Sequence, residues 1–314
     1  MRVGVIFPGQ GSQTVGMGVD VARAYPAAAQ CFAAAKTILG YDLLGLCERG
    51  PAETLTETRY AQPAIFVTNV ALARAVGPAL APSVSAGHSF GEFCSLTLAG
   101  ALTFETALGL VNERGLAMQR AATVARGAMA AVLGLAPDAL REAVARAVAS
   151  GAGRVQLANF NAPGQIVISG DADAVRLAGD YAAEAGAKRV VPLNVSGAWH
   201  SALMDPARAE FAPHVEAATV LPPAFTVISN VDARPYRDVE EIKTNLVRSV
   251  TDEVLWHDTA VALVGMGLDL IVEFGASPVL APMFKRIEGA PKAITVSDAA
   301  SVEKLRAQLA DTAA

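Results

Sequence analysis

The chain has 314 residues, of which 53% are hydrophobic and 18% are charged, and its formal net charge is −5. So long and apolar a chain can bury a large core, which excludes an intrinsically disordered protein. The negative charge gives a nucleic-acid partner no electrostatic support, and an acidic partner needs a local basic patch.

Cysteine usage and hydropathy set further limits. Cys31, Cys47 and Cys94 are odd in number and form no C-x-x-C pair, which predicts neither a disulfide framework nor a metal site. The N-terminal apolar stretch at 3–7 is too short for a signal peptide, and no run of 18 apolar residues exists. We expect a cytoplasmic monomer with no membrane partner and no permanently bound cofactor.

The chain opens with an apolar run at 2–7 that predicts a buried strand, followed by a glycine-rich loop at 8–13. A dinucleotide-binding G-x-G-x-x-G motif would need glycine at position 14, where the chain has Thr14, so the pattern gives such a site little support. The alternative is a tight strand-to-helix connection. Helical periodicity then predicts helices over 19–39 and 64–75.

Residues 87–91 read Gly-His-Ser-Phe-Gly and fit the G-x-S-x-G nucleophile elbow. A short run ending in small residues precedes them, and a helix-compatible run at 92–99 follows. A strand that turns into a helix so abruptly leaves the hydroxyl of Ser89 at a helix N-terminus, where amide N–H groups stabilise an oxyanion. The alternative is a serine in an ordinary glycine-flanked turn, but this context favours a nucleophile.

A second strong helix is predicted over 104–121 and contains Arg114. By position alone, a solvated helix face is the better interpretation of this arginine, because a buried one needs a partner.

The pattern from 129 to 193 alternates as strand, helix, strand, strand, helix and strand. The strands are predicted at 129–135, 155–159, 165–170 and 188–193, and the helices at 137–149 and 172–185. This order is that of a ferredoxin-like unit. We therefore predict an α/β protein in which a subdomain at 127–195 is inserted into a large α/β domain formed by 1–126 and 196–314. Turn residues at both flanks, including Arg126 and Gly127, support these boundaries.

The remaining chain predicts helices at 206–218, 239–250 and 279–287, and strands at 225–229 and 268–274, with fraying at 310–314. A serine nucleophile needs a neighbouring base, and the chain has four histidines. His88 on the elbow should point away from Ser89, whereas His214 and His257 lie in helical or charged stretches. His200, in a loop beside small residues, is the best candidate by elimination.

Six motifs recur in one order along residues 3–290 and carry a family resemblance. They are Gly9-Gln10-Gly11-Ser12-Gln13, Tyr60-Ala61-Gln62-Pro63-Ala64, Gly87-His88-Ser89-Phe90-Gly91-Glu92-Phe93, Glu113-Arg114-Gly115, Asn159-Phe160-Asn161-Ala162-Pro163-Gly164-Gln165 and Ala198-Trp199-His200-Ser201. Together they resemble the malonyl-CoA:acyl-carrier-protein transacylases, including stand-alone acyltransferases of polyketide synthases. The resemblance implies an α/β-hydrolase-like domain with a ferredoxin-like insert, with malonyl-CoA and an acyl carrier protein as partners.

The resemblance also implies roles for residues. Ser89 would carry the acyl group and His200 would be its base, oriented by a backbone carbonyl at Ser249. Backbone amides of Gln10 and Phe90 would form the oxyanion hole. Such an enzyme works in fatty-acid or polyketide synthesis.

On the same resemblance, Arg114 would bind the malonyl carboxylate, which overturns the solvated-face interpretation because its planar fork suits a carboxylate. Gln62, Trp199, Asn159 and Asn161 would shape the pocket. Candidate docking charges for an acidic carrier protein are Lys188, Arg189, Lys285 and Arg286, for which ordinary solvation is the alternative.

Three positions depart from the commonest family pattern. Phe90 stands where a smaller aliphatic residue is usual, Trp199 where malonyl-selective members have phenylalanine, and Ser249 where many relatives have glutamine. The bulk of Trp199 favours malonyl over methylmalonyl groups, and the same two bulky residues also fit a pocket reshaped for a different acyl group.

Two other function classes remain open. A hydrolase, either an acyl-clearing relative or an α/β-hydrolase esterase, is disfavoured by Arg114 and by the lack of an HGGG-type loop. A non-catalytic carrier-binding module would be expected to lose Ser89 or His200, and the chain has both.

Overall fold

The computed structural model describes residues 1–125 and 127–311, and its larger sheet has five parallel strands. Their order across the sheet is β7-β2-β1-β8-β9. Every residue of the central strand, Val3–Phe7, and of one of its two neighbours, Leu270–Phe274, is buried, as expected where helices cover both faces of a parallel sheet. The strands are β1 (Val3–Phe7), β2 (Pro82–Gly87), β7 (Thr226–Ile228), β8 (Leu270–Phe274) and β9 (Lys292–Val296).

The smaller sheet has four antiparallel strands in the order β4-β5-β3-β6 and its own hydrophobic core. Two helices, α8 (Pro137–Ala149) and α9 (Ala172–Glu184), complete the predicted ferredoxin-like order, which is confirmed. The predicted boundary residue Arg126 lies outside the described residues. The strands are β3 (Gly127–Leu133), β4 (Val155–Ala162), β5 (Gln165–Asp171) and β6 (Arg189–Pro192).

Helices surround the parallel sheet, and the two longest, α5 and α7, pack against each other. They are α1 (Val19–Ala24), α2 (Pro26–Leu39), α3 (Leu43–Arg49), α4 (Ala52–Thr56), α5 (Thr58–Val76), α6 (Gly91–Leu98), α7 (Phe104–Val124), α10 (Asp205–Ala217), α11 (Val239–Arg248), α12 (Trp256–Gly265) and α13 (Ala299–Asp311). None of the helices in the described ranges has the length and apolar character required to cross a membrane.

Some predicted elements differ from the structure. The single helix expected over 19–39 is two helices, because Pro26 begins α2 and cannot continue α1. The helix expected at 279–287 is a 3₁₀ segment, Ala281–Arg286. Strand β9 and helix α13 were not predicted. Of the residues expected to fray, 310 and 311 belong to α13, and residues 312–314 lie outside the described part.

Strand β4 of the small sheet also takes part in a short seam outside that sheet. The amide of Phe160 in β4 donates to the Val254 carbonyl at 2.9 Å, and the Val254 amide donates to the Ala158 carbonyl at 2.8 Å. This seam joins the small sheet to the segment that enters α12.

Candidate active site

The elbow stands between β2, which ends at Gly87, and α6, which begins at Gly91. Its central residue, Ser89, has a φ of 53°, in the left-handed region that side chains rarely occupy. A Cβ on Gly87 would lie 2.0 Å from the Gly91 carbonyl carbon, and one on Gly91 would lie 2.4 Å from the Phe7 carbonyl oxygen. The chain crossing therefore excludes any side chain at these two positions.

The structure brings His200 to the elbow. Its Nε2 lies 2.9 Å from Ser89 Oγ, and its Nδ1 lies 3.1 Å from the Asp252 carbonyl oxygen. Since a carbonyl only accepts, Nδ1 carries the proton and Nε2 is left as the acceptor for the serine hydroxyl. His214 and His257 lie on α10 and α12, and neither is hydrogen-bonded to Ser89.

Burial lowers the pKa of His200 to about 3, and the nearby charges of Arg114 and His88 act in the same direction. The imidazole is therefore neutral at physiological pH. A neutral imidazole with a free Nε2 can accept the serine proton, which is the requirement for a general base.

The predicted Ser249 carbonyl is joined by a second carbonyl, that of Asp252, in orienting His200. Both carbonyls partly oppose the lowering of the pKa of His200. The Asp252 carbonyl, 3.1 Å from Nδ1, has the larger effect and the Ser249 carbonyl the smaller. Helix α11 ends at Arg248, and carbonyls in the turn beyond it are free of helical hydrogen bonds. Two of them therefore face the same imidazole.

Arg114 is completely buried on α7, so the solvated-face interpretation is wrong. Its Nη1 donates to Gln62 Oε1 at 2.9 Å and its Nη2 to Ser89 Oγ at 3.3 Å. Its Nε–H has no acceptor among residues 1–125 and 127–311. Close approach of α5 explains the burial, since a Cβ on Gly115 would lie 3.1 Å from the Thr58 carbonyl oxygen.

Burial lowers the pKa of Arg114 to about 10, and the charge of Glu92 opposes that shift. The guanidinium is therefore charged at neutral pH, beside the nucleophile, with an unused donor. This combination suits a substrate with its own carboxylate.

Gln10 and Phe90 line one cavity of about 350 Å³ together with Ser89. Within the described ranges, neither backbone N–H donates to a protein acceptor. The elbow turn explains this for Phe90, because the hydrogen bond of that turn runs from the Gly91 amide to the His88 carbonyl. Both amides are thus available to an oxyanion.

Three of the predicted pocket residues, Gln62, Asn159 and Trp199, line this cavity together with Ser89 and Arg114. We refer to it as the Ser89 cavity.

Asn161 does not line the Ser89 cavity. Its Oδ1 lies 2.9 Å from His88 Nε2, so it stands behind the ring of His88. The prediction of a direct pocket role for Asn161 is therefore corrected to a contact with His88, which itself lines the cavity.

Trp199 fits because Gly197 gives it room. A Cβ on Gly197 would lie 2.7 Å from two atoms of the indole ring. The indole Nε1–H is buried and has no acceptor in the described part of the chain. Phe90 is also buried, with 1% of its surface exposed. Both bulky departures from the family pattern are thus built into the packing.

Two residues in contact with the elbow were not predicted. The side chain of Asn230 hydrogen-bonds to the backbone of Ser89, and Glu92 Oε1 accepts from the Asn230 amide at 2.9 Å. Burial raises the pKa of Glu92. The position of Asn230 just after β7 could have indicated its contact with the elbow. Strand β7 pairs in parallel with β2, so both strands end on the same side of the sheet.

The doubly covered parallel sheet, the elbow serine and its histidine define the class of α/β-hydrolase-like proteins with a serine–histidine pair, here with an added ferredoxin-like subdomain. Within that class, the chain belongs to the acyl transferase domain family, which matches residues 5–313.

Relatives agree with this family assignment. The chain is 42% identical to the malonyl CoA-acyl carrier protein transacylase of Haemophilus influenzae, over 96% of each chain. It is similar to the crystal structure of an acyl carrier protein S-malonyltransferase from Vibrio cholerae, with a TM-score of 0.92, 40% identity and coverage of 97% of this chain and 100% of that one. A malonyl-transacylase solved in complex with its type II PKS acyl-carrier protein gives a TM-score of 0.93 and 39% identity, over 98% of this chain and 100% of that one.

Proposed function

We propose that this chain transfers a malonyl group from malonyl-CoA to the phosphopantetheine thiol of an acyl carrier protein, in fatty-acid or polyketide synthesis. The observation that carries the proposal is the buried guanidinium of Arg114, 3.3 Å from the nucleophile hydroxyl. In a malonyl group one carbon separates the thioester carbonyl from the carboxylate. So short a group can therefore keep its carboxylate at the Arg114 guanidinium while its carbonyl carbon is bonded to Ser89 Oγ.

In the first half-reaction, Ser89 Oγ attacks the thioester carbonyl carbon while its proton passes to His200 Nε2. The backbone amides of Gln10 and Phe90 hold the oxyanion of the tetrahedral intermediate, a contribution that is typically about 3 kcal/mol per donor. The carbon–sulfur bond then breaks, and coenzyme A leaves as a thiol with the proton from His200. The product is a malonyl ester of Ser89.

In the second half-reaction, the carrier-protein thiol gives its proton to His200 and attacks the ester carbonyl. The serine oxygen leaves and recovers the proton. Two half-reactions that share one covalent intermediate give ping-pong kinetics. The carbonyl of Asp252, with that of Ser249 nearby, keeps the imidazole in the tautomer that both steps need.

Selectivity follows from burial. An acetyl group has no carboxylate and would leave Arg114 without its partner, so acetyl-CoA is a poor substrate. Gln62 orients the guanidinium, and Trp199 crowds substituents on the α-carbon of the acyl group. Asn159 contributes to the wall of the Ser89 cavity on the small-sheet side.

We propose that residues 127–195 form the inserted subdomain and that its edge helps to receive the carrier protein. Lys188 and Arg189 at the start of β6 are exposed, as are Lys285 and Arg286 on the 3₁₀ segment. Arg286 Nη1 donates to Gln165 Oε1 at 3.2 Å, which joins the second pair to the small sheet. Such a basic group is complementary to an acidic partner.

A cytoplasmic location and a monomer are part of the same proposal. The first is supported by three buried, free cysteines, as expected in a reducing compartment.

Intact-mass analysis after brief exposure to malonyl-CoA, methylmalonyl-CoA or acetyl-CoA in separate tubes tests the function. We expect a malonyl adduct that requires Ser89 and is discharged by a phosphopantetheinylated carrier protein. An adduct that turns over to free malonate without a carrier would identify a hydrolase. No adduct with any of the three donors would indicate a different acyl substrate.

A further inference from the structure

The backbone of Ser89 is held by one side chain from a distant part of the chain. Asn230 Oδ1 accepts from the Ser89 amide at 3.0 Å, and Asn230 Nδ2 donates to the Ser89 carbonyl at 2.9 Å. Asn230 is itself buried, with 1% of its surface exposed. One amide group therefore engages both backbone groups of a residue whose φ of 53° is unfavourable without such support.

The second of these bonds bears directly on the oxyanion hole. The Ser89 carbonyl and the Phe90 N–H belong to the same peptide group, which is planar, so they point in opposite directions from one rigid unit. A donor fixed on the carbonyl side consequently fixes the direction of the N–H on the other side. That N–H is one of the two amides available to an oxyanion.

Asn230 is in turn held by the helix that follows the elbow. Glu92 Oε1 accepts from the Asn230 amide at 2.9 Å and from the Tyr236 hydroxyl at 2.7 Å. Glu92 is completely buried in the first turn of α6, three residues after the serine. The contacts thus close a ring from Ser89 through Asn230 to Glu92 and back along the chain.

We propose that Asn230 and Glu92 are positioning residues that hold Ser89 in its left-handed conformation and aim the Phe90 N–H at the oxyanion. We name the pair the elbow clamp. The inference rests on acyl transfer through Ser89, as proposed above, but not on the identity of the acyl group. Glu92 serves in it as a hydrogen-bond acceptor, not as a negative charge.

The test uses the whole chain and three measurements on each variant. They are single-turnover acylation of Ser89 by malonyl-CoA over a range of concentrations, labelling of Ser89 by a fluorophosphonate, and thermal unfolding. The fluorophosphonate reports on the serine and its oxyanion hole without needing a carboxylate. Asn245→Ala is the matched control, because Asn245 is equally buried and hydrogen-bonds to Ser229 in the same loop region, but makes no contact with Ser89.

Asn230→Ala should lower both the maximal acylation rate and the labelling rate by about 100-fold, as loss of an oxyanion donor does, while half-saturation by malonyl-CoA changes less than about threefold. Asn230→Asp has nearly the same shape but places an acceptor against the Ser89 carbonyl. It should lower both rates by as much as Asn230→Ala does. Glu92→Gln keeps the acceptor and should stay within about threefold of the parent rate. Asn245→Ala should leave the acylation rate and the labelling rate unchanged, even if it lowers the unfolding temperature.

Equal losses in Asn245→Ala and Asn230→Ala would overturn the clamp, because general loosening of the loop would then explain the effect. An Asn230→Ala variant that labels at the parent rate, or whose only change is weaker half-saturation by malonyl-CoA, would overturn it as well. Should the parent protein react with the fluorophosphonate but not with malonyl-CoA, the malonyl assignment would fail. A slower labelling of both Asn230 variants would still support the clamp.

Discussion

Two completely buried ionisable side chains, Glu273 and Arg114, differ in how their polar atoms are satisfied. Glu273 on β8 accepts four hydrogen bonds of 2.8–3.0 Å, from the amides of Val279, Leu280 and Ala281 and from the hydroxyl of Thr295. Arg114 has one 2.9 Å bond to an amide oxygen, a longer contact with the serine hydroxyl, and one nitrogen without an acceptor among the described residues.

The difference separates a structural charge from a functional one. Glu273 is fully satisfied by the fold and holds the turn into the 3₁₀ segment. Arg114 is left short of acceptors, and a buried cation is costly unless it is paired. Its missing partner is supplied by the substrate under the proposed function, so the fold is less stable at this point than it would be with an apolar side chain.

Replacing Arg114 gives the largest expected effect. Arg114→Met should reduce malonyl transfer about 1,000-fold, since truncating one member of a buried charge pair costs about 4 kcal/mol. The unfolding free energy should stay within about 1 kcal/mol of the parent value or rise. Single-turnover acylation and urea unfolding measure the two quantities.

Acetyl-CoA is the control for that variant, because its acyl group makes no use of the guanidinium; its slow acylation should not fall further. Strong destabilisation of Arg114→Met would contradict the comparison, since it would make Arg114 a structural charge like Glu273.

Glu273→Gln should give the opposite pattern. One carboxylate oxygen becomes an NH₂ group that faces backbone donors, which should lower the unfolding free energy by about 3 kcal/mol. Malonyl transfer by the folded protein should be unchanged at low temperature. Chemical unfolding monitored by circular dichroism measures the first effect. A selective loss of activity in a fully folded variant would show that the turn after β8 acts on the active site.

The pH profile tests the lowered pKa of His200, which is caused first by burial and then by the charge of Arg114. The pKa of His200 is about 3, so acylation should stay within about twofold from pH 8 to pH 5, whereas a histidine with its ordinary pKa of about 6.5 would be only about 3% neutral at pH 5. In Arg114→Met the acid limb should move to higher pH, because a positive neighbour is lost. Single-turnover rates across this pH range measure the acid limb in the parent protein and in Arg114→Met. A midpoint near pH 6.5 in the parent protein would contradict the expectation.

The same histidine affects stability with a definite sign. Between pH 6.5 and about 3, the unfolded state binds a proton at His200 that the folded state does not. This residue therefore reduces stability as the pH falls through that window.

Trp199 gives the smallest expected effect. Trp199→Ala should raise the rate with methylmalonyl-CoA relative to malonyl-CoA by about tenfold, because one methyl group in a shaped pocket changes binding by about 1–3 kcal/mol. Competition between the two donors, read by intact mass, measures the ratio. Trp199→Phe is the conservative control and should change the ratio less. An unchanged ratio in Trp199→Ala would show that another residue crowds the α-carbon.

Local sequence patterns predicted much of this fold. The spacing of two glycines around Ser89 identifies the elbow because no other residue fits the chain crossing at Gly87 and Gly91. The strand and helix order of the small sheet followed from the alternation of periodic segments. Edge strand β9 was missed because only one of its five residues is buried, which weakens its apolar pattern.

The site was harder to predict because its contacts join segments far apart in sequence. The burial of Arg114 depends on which face of α7 is covered by α5, and its position in the sequence, with no partner visible there, favoured a solvated face. Asn230 and the carbonyl of Asp252 come from turns after β7 and α11, whose exact paths are set by tertiary packing. The family resemblance placed the carbonyl at Ser249, and the position of the His200 ring in the structure identifies Asp252 as its nearer partner.

The seam between the small sheet and the segment before α12 has a practical consequence for recombining this chain with its relatives. Val254 hydrogen-bonds to β4 through both its N–H and its carbonyl. It lies two residues after Asp252, whose carbonyl orients His200. Residues 127–195 are therefore not an independent cassette: a chimaera that exchanges them alone keeps its own nucleophile but alters the support of its base. Crossover points that carry the 252–254 segment along with the small sheet preserve that support.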